Sequence, residues 1–370
     1  MTTTTFKDRL HRCQNALAEE DVDALVLFPS PNLLYLTGFD EEPGERHLLA
    51  FVTPDDFAIV APQMYAEQII EETYIDDVDA WSDGDDPMVA VRTVLDRLGV
   101  GGGEVLLDDR MFALFSLDVQ NALPDASFGL ASEVLDDLRV RKEEVELDAL
   151  REAARISDEA SEAVRAMGAE AVGMTEAELA EEIRAEVDAL GGEGLPFEPI
   201  VGSGPKGAQP HYRHGDRTIR AGEPVILDFG TQFDGYPGDQ TRTVVFDGDP
   251  PEEFEEIHAV VHDALDAAVD AVEPGVAAEE VDAAARSVIE DAGYGDRFLH
   301  RTGHGIGLEV HEEPYIVAGN ETPLEPGMVH SIEPGIYLEG KYGARIEDIV
   351  VVTEDDCERL NHSPRTWEPL

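Results

Sequence analysis

Four acidic residues and one histidine between Val225 and Glu347 have the types and the setting of a metal site: Asp228 in VILDFG, Asp239 in GYPGDQTRT, His304 in GHGIGLEVHE, Glu333 in SIEPGIY and Glu347 in ARIEDIVVV. The acids are hard oxygen donors and the fifth residue is an imidazole. Each sits in or beside a short strand-like or glycine-rich stretch, where a buried charge is costly without a partner. Aspartate is a poor strand residue and rarely fully buried alone, so Asp228 inside an apolar run needs a cause, and Glu333 and Glu347 need the same. Divalent cations supply one: four carboxylates carry about four negative charges, which two such ions neutralise. Oxygen-dominated donors with one imidazole suit Mn, Co or Fe better than a thiolate-rich zinc site does. Two adjacent cations that share carboxylates polarise a carbonyl and activate water, which is hydrolysis chemistry.

Each residue also has a plainer reading. Asp239 alone reads equally as a turn aspartate. A single histidine is more often a satisfied polar side chain than a ligand, although His300, His304 and His311 crowd into one glycine-rich segment. Small neighbours of His304 would let a ligand approach closely. Glu347 could be an ion-pair partner of Arg345. The run His311-Glu312-Glu313-Pro314-Tyr315 is not a zinc-protease HExxH helix, because its fifth residue is Tyr and Pro314 would break the helix.

The elements that must hold these residues can be read from periodicity. Strands are expected over 223–231 and 240–246, so that Asp228 and Asp239 lie side by side across a hairpin. Further strand pairs are expected around 328–337 and 344–353, with Glu347 inside a strand. Helices are expected over 143–167, from the Thr175/Glu178 capping box to Leu190, and over about 252–272 and 276–292. Helices on one face of a mostly antiparallel sheet make this part, 139–370, α+β. Residues 1–132 alternate strand and helix and read as a separate α/β domain, with 133–141 as a connector. The glycines from Gly99 to Gly103 do not form a dinucleotide loop, since a strand rather than a helix follows them.

At 370 residues the chain can bury two cores. Its 81 acidic and 26 basic residues give a net charge of −55, which excludes phosphate-directed nucleic-acid binding. A hydrophobic content of 42% argues against disorder and for a folded, carboxylate-coated protein suited to a salt-rich cytoplasm. No apolar run is long enough for a membrane span and no secretory leader is visible, so a cytoplasmic location is expected. Cys13 and Cys357 are too few for a disulfide framework.

Taken together, VILDFG, GYPGDQTRT, HRTGHGIGLEVHE, MVHSIEPGIY and ARIEDIVVV resemble the metallopeptidases of the pita-bread fold, which include Xaa-Pro dipeptidase (prolidase), aminopeptidase P and methionine aminopeptidase. The stretch from Asn32 to Phe39 resembles the creatinase-like N-terminal domain of the prolidase and aminopeptidase P branch, which methionine aminopeptidases typically lack. The resemblance implies two divalent metal ions, most simply Mn or Co. Asp228 would chelate one, Asp239 and Glu347 would bridge both, and His304 and Glu333 would complete the other, with Glu333 also serving as general base. It implies that His211 contacts substrate and that His311 stabilises the oxyanion. His300 would wall the proline pocket, with Arg345 and Tyr337 beside the metals. The implied substrate is a peptide with proline in second position, and the implied assembly is a homodimer.

This chain has Gly238 and Ser331 where the family often has Ser and Thr, but neither is a ligand. Proline needs a dedicated enzyme because its amide lacks the N–H that general peptidases grip. The rival readings are creatine-type amidinohydrolysis, methionine aminopeptidase activity, and an inactive relative used as a binding module. The intact donor set argues against the first and last, and the N-terminal domain against the second.

Overall fold

A computed structural model describes residues 2–370, which form two compact units, one ending at Arg139 and the other running Val140–Leu370. The first is a mixed six-stranded sheet with helices between its strands. The strands are β1 (Ala24–Leu27), β2 (Leu49–Val52), β3 (Phe57–Pro62), β4 (Asp79–Trp81), β5 (Gly103–Leu107) and β6 (Ala126–Leu130), in the order β4-β3-β2-β1-β5-β6. The helices are α1 (Thr3–Glu19), α2 (Pro31–Thr37), α3 (Gln63–Glu72), α4 (Pro87–Leu98), α5 (Ala113–Ala122) and α6 (Ser132–Arg139). Helix α4 shows why the local sequence folds as it does. Asp86 caps the amide of Met88, Pro87 opens the first turn, and Gly99 closes the helix at φ 74°. Helix α6 replaces the expected connector: Val134 and Leu135 are buried, and that burial stabilises a helix whose many charges suggest a loop.

The second unit carries the helices α7 (Glu144–Arg165), α8 (Glu176–Ala189), α9 (Glu252–Asp270) and α10 (Ala278–Asp291). Its strands are β7 (Ile200–Ser203), β8 (Val225–Phe229), the short pair β9 (Gln232–Phe233) and β10 (Tyr236–Pro237), β11 (Gln240–Val244), β12 (Gly303–Gly305), β13 (Glu312–Ile316), β14 (Val329–Ile332), β15 (Gly335–Leu338), β16 (Tyr342–Arg345), β17 (Asp348–Val352) and β18 (Cys357–Arg359). The sheets are antiparallel, in the orders β11-β8-β7 and β13-β12-β14-β17-β18, with β15 and β16 as a separate hairpin. The unit is α+β, as expected. The capping box of α8 is present: Thr175 Oγ1 accepts from the Glu178 amide (3.1 Å), and Glu178 Oε2 accepts from the Thr175 amide (2.8 Å).

Alternation along β8 sets the direction of the site. Val225, Leu227 and Phe229 pack with Val164 of α7 and with Leu179 and Ile183 of α8, so period-2 geometry turns Asp228 to the opposite side. The second helix pair does the same for the strands that follow. Helix α9 buries Phe254, Ile257, Val261, Leu265 and Val269 at helical spacing against α10 and against Ile332, Ile336 and Val350. Each of these side chains contributes about 1.5–3 kcal/mol by burial.

Two details of register differ from expectation. Across β8 and β11 the residue opposite Asp228 is Thr241. Asp239 lies just before β11, two residues earlier, and is therefore a diagonal neighbour. Glu347 lies between β16 and β17 rather than within a strand, and it pairs with Thr241 through an isolated bridge.

Candidate metal centre

The five donors converge on one cavity of about 730 Å³, whose lining includes Asp228, Asp239, His304, Glu333 and Glu347. Asp228 is delivered by β8, and its Oδ2 accepts from Arg345 Nη2 at 2.5 Å. Asp239 is brought alongside by glycines: a Cβ at Gly230 would strike the Gly238 carbonyl and lie 3.1 Å from the Asp239 amide. Glu347 is fixed at both ends. Its amide donates to the Thr241 carbonyl (3.1 Å), and its Oε2 accepts from Thr241 Oγ1 (2.7 Å). Glu333 follows β14, and its amide donates to the Thr302 carbonyl (2.7 Å).

His304 sits on β12 with its amide donating to Ser331 Oγ (3.0 Å). Its Nδ1 lies 3.1 Å from the Gly305 carbonyl, which only accepts, so Nδ1 carries the proton. That leaves a lone pair on Nε2, which lies 3.8 Å from Asp239 and 3.6 Å from Glu333. The flanking glycines serve packing rather than ligand access. A Cβ at Gly303 would collide with the Ser331 carbonyl, and one at Gly305 with the Glu313 carbonyl, so β12 fits between its neighbours only with bare backbone there.

The electrostatics show what is missing from a purely protein account. Burial raises the Asp239 and Glu347 carboxyls well above the ordinary range, and the neighbouring carboxylates raise them further. Burial also raises Asp228, against the pull of Arg345, and brings Glu333 to about 7. Burial lowers His304 to about 3, so its imidazole is neutral. Among the described residues, Asp239 Oδ1 and Glu347 Oε1 are buried with no hydrogen-bond partner. Donor atoms of Asp239, His304 and Glu347 all lie within 4.8 Å of one another. Orphaned carboxylate oxygens, crowded acids and a neutral imidazole with an outward lone pair are what a divalent cation requires.

The other sequence-predicted residues separate into two groups. His211, His300, His311 and Arg345 also line the cavity. His211 and His311 are exposed, and the His311 ring lies 4.2 Å from that of His304. Arg345, His300 and Tyr337 form a directed chain. Arg345 Nη1 donates to the Tyr337 hydroxyl (2.7 Å), the hydroxyl meets His300 Nε2 (2.8 Å), and His300 Nδ1 donates to the Arg301 carbonyl (2.8 Å). The Nδ1 proton makes Nε2 the acceptor, so the tyrosine hydroxyl donates to it. Both nitrogens of His300 are thus engaged, and burial lowers it to about 3, which leaves a neutral wall. Tyr337 does not line this cavity. It is buried behind it, facing a neighbouring one of about 800 Å³ that also touches Pro210 and His211.

Three lining or supporting residues lie outside the set expected from the sequence. Thr241 accepts from Arg345 Nε (3.1 Å) while donating to Glu347. The alternation in DQTRT places it on the side of Asp239 and is the signal that could have shown it. Phe197 supplies an apolar wall from the Gly/Pro-rich segment, and Arg301 lies within the HRTGHG run itself.

The sequence matches metallopeptidase family M24 over residues 148–354 and the creatinase/prolidase N-terminal domain over residues 9–141. The chain belongs to metallopeptidase family M24. It is 43% identical over 369 residues to the probable dipeptidase PepE of Mycobacterium tuberculosis, covering 97% of this chain and 95% of that protein. It is 35% identical over 368 residues to an Xaa-Pro dipeptidase of Lactobacillus delbrueckii subsp. lactis, covering 98% of each. A crystal structure of prolidase from Thermococcus sibiricus superposes with a TM-score of 0.94 at 38% identity, covering all of both chains. Membership of M24 implies divalent metal, and the donor set of this M24 metallopeptidase fits it. Among the described residues, no helix is long and apolar enough to cross a membrane.

Proposed function

We propose that this M24 metallopeptidase hydrolyses the peptide bond between an N-terminal residue and a following proline. Asp228, Asp239, His304, Glu333 and Glu347 would hold two divalent ions. The observation that carries the reading is the pair of orphaned buried oxygens, Asp239 Oδ1 and Glu347 Oε1, facing a shared set of donors. The 35%-identical Xaa-Pro dipeptidase and the 38%-identical prolidase support the choice of a proline substrate, and the 43%-identical probable dipeptidase supports a short peptide.

Divalent ions bound here would supply Lewis acidity to the scissile carbonyl and acidify water. The protein supplies the rest. Glu333, whose side chain is 17% exposed, faces the cavity and is placed to take a proton from water as oxygen attacks the carbonyl carbon. It then returns that proton to the proline nitrogen as the C–N bond breaks. His211 and His311 stand at the open side, where they orient the substrate carbonyl and its developing charge. His300, neutral and hydrogen-bonded at both ring nitrogens, offers a flat face to the proline ring. Arg345 acts as a positioning residue, because its donors are spent on Asp228, Thr241 and Tyr337.

Oxygen donors with a single imidazole favour Mn or Co. A homodimer in the cytoplasm, active at high salt, completes the proposal and rests on the resemblance and the charge. The test is proline release from an Xaa-Pro dipeptide and from the matching tripeptide in high-salt buffer, with and without Mn²⁺ or Co²⁺. Metal-dependent release is expected. Protein that binds two equivalents of metal yet cleaves no Xaa-Pro substrate would overturn the reading.

A further inference from the structure

In a chain with 81 acidic and 26 basic residues, arginines readily find carboxylates. Arg301 does not, although it lines the acidic cavity. Among the described residues its guanidinium has no ion-pair or hydrogen-bond partner. It lies over the Tyr315 ring, whose centroid is 4.3 Å from Cζ. It is half-buried, which separates it from Arg213, the other unpaired arginine of the cavity, which is exposed. Arg345, the third, is fully engaged.

Stacking on an aromatic ring uses the face of the guanidinium and leaves its in-plane N–H fork open. An open fork on a guanidinium that lines a cavity offers paired donors to a planar anion, and carboxylate is the matching shape. The position suits one carboxylate in particular. Arg301 directly follows His300, the proposed wall for the proline ring, and precedes the donor His304 by three residues. In an Xaa-Pro dipeptide the free carboxylate is carried by the proline itself, one Cα away from the scissile nitrogen. In a longer peptide the same place holds a neutral amide.

We infer that Arg301, oriented by Tyr315, anchors the C-terminal carboxylate of the substrate and makes this enzyme a dipeptidase rather than an aminopeptidase. The inference rests on the Xaa-Pro reading above. It assigns a specificity-determining residue and, with it, a substrate length.

The test compares an Xaa-Pro dipeptide with its C-terminal amide, using Mn²⁺-loaded protein. A charge-assisted hydrogen bond of roughly 1.5–3 kcal/mol corresponds to about 10- to 150-fold. Wild type should therefore favour the free acid by roughly that factor in kcat/KM. Arg301→Gln should lose it through KM on the acid while leaving the amide unchanged. Arg301→Lys, which keeps the charge but not the fork, should retain part of the preference and covers the case in which Arg301→Gln fails to fold. Calorimetric titration with proline and prolinamide gives a readout independent of turnover, and wild type should bind proline more tightly, Arg301→Gln equally. The anchor is overturned if wild type cleaves acid and amide equally, which leaves the Xaa-Pro reading intact. It is also overturned if Arg213→Gln rather than Arg301→Gln removes the preference, or if Arg301→Gln depresses both substrates alike. Cleavage of neither substrate by metal-loaded wild type would remove the Xaa-Pro reading and this inference with it.

Discussion

Arg345 Nη2 lies 2.5 Å from Asp228 Oδ2, and both residues are buried. The same guanidinium donates from Nε to Thr241 (3.1 Å) and from Nη1 to Tyr337 (2.7 Å). One planar group thus fixes a buried carboxylate of the cavity, the threonine that steadies Glu347, and the phenol that meets His300. A lysine keeps the charge but cannot reach all three. Arg345→Lys should bind metal with near-native stoichiometry yet lose about 10- to 100-fold in kcat/KM, the usual cost of disturbing the support of a metal site. Atomic emission on the purified variant, set beside its kinetics, checks both halves. Native kinetics would show that the contacts have no bearing on the reaction.

Thr241 tests the other arm. Its hydroxyl both accepts from Arg345 and donates to Glu347 Oε2, and Thr241 is fully buried. Thr241→Val keeps the shape and removes both bonds. The lost donor leaves Glu347 Oε2 without its bond, a cost of roughly 1–3 kcal/mol. Lower thermal stability and weaker metal affinity are expected together, measured by calorimetry on loaded and stripped protein. An unchanged metal affinity would place Glu347 outside the binding set.

Asp239→Asn separates metal binding from folding. In the absence of metal, Asp239 is buried and also crowded by Asp228 and Glu333, so an amide removes repulsion. Metal-free Asp239→Asn should therefore be at least as stable as metal-free wild type above neutral pH, while its activity and its stabilisation by Mn²⁺ are lost. A variant with native turnover and metal content would refute the bridging role.

Much of this site is legible in the sequence because its cause is local. An acid such as Asp228 within VILDF, or Glu333 beside Pro334, violates strand and burial preferences, and a violation is visible without coordinates. The alternation that buries Val225, Leu227 and Phe229 likewise predicts the direction of Asp228. What stays hidden depends on contacts distant in sequence. Thr241, not Asp239, faces Asp228 because glycines at 230 and 238 let the chain cross closely before β11 begins. The glycines around His304 suggest access for a ligand, whereas neighbouring carbonyls fill that space. The Arg345–Tyr337–His300 chain joins β15 and β16 to the segment before β12, and no local pattern encodes it. Helix α6 is masked in the sequence by its acidic surface, which hides a short buried pair, Val134 and Leu135.

The carboxylates also predict how metal and pH interact. Burial raises Glu333 from an ordinary 4.5 to about 7, and Asp239 and Glu347 shift in the same direction. Metal-free folded protein therefore holds protons that the unfolded chain releases, and its stability falls as pH rises from about 4.5 through 7. His300 and His304, lowered from 6.5 to about 3, have the opposite sign, but their effect is complete by pH 6.5. Above that pH the carboxylate cost stands alone. Bound metal removes it, so the Tm difference between loaded and stripped protein should widen from pH 6.5 to 8. Each 1 kcal/mol moves Tm by roughly 2–4 °C for a domain of this size class. Metal binding should also release protons, seen as a dependence of the calorimetric heat on buffer ionisation. A gap that narrows with pH would mean that these acids are not displaced by metal.

The net charge of −55 yields the last prediction. Some acids are paired on the surface, as Glu152 and Glu159 are with Arg155 at 2.7 and 2.6 Å. Such exposed pairs contribute at most about 1 kcal/mol each, and salt weakens them. With 81 acids against 26 bases, most carboxylates have no cation to pair with, so repulsion outweighs attraction. Salt shortens the screening length from about 10 Å at 0.1 M to about 3 Å at 1 M, which removes more repulsion than attraction here. Tm should rise with KCl over that range and flatten beyond it, because a screening length near one contact distance leaves little more to screen. A Tm that is flat or falling would show that the folded chain spaces its carboxylates widely enough to need no screening, and the salt-rich cytoplasm would lose its physical basis.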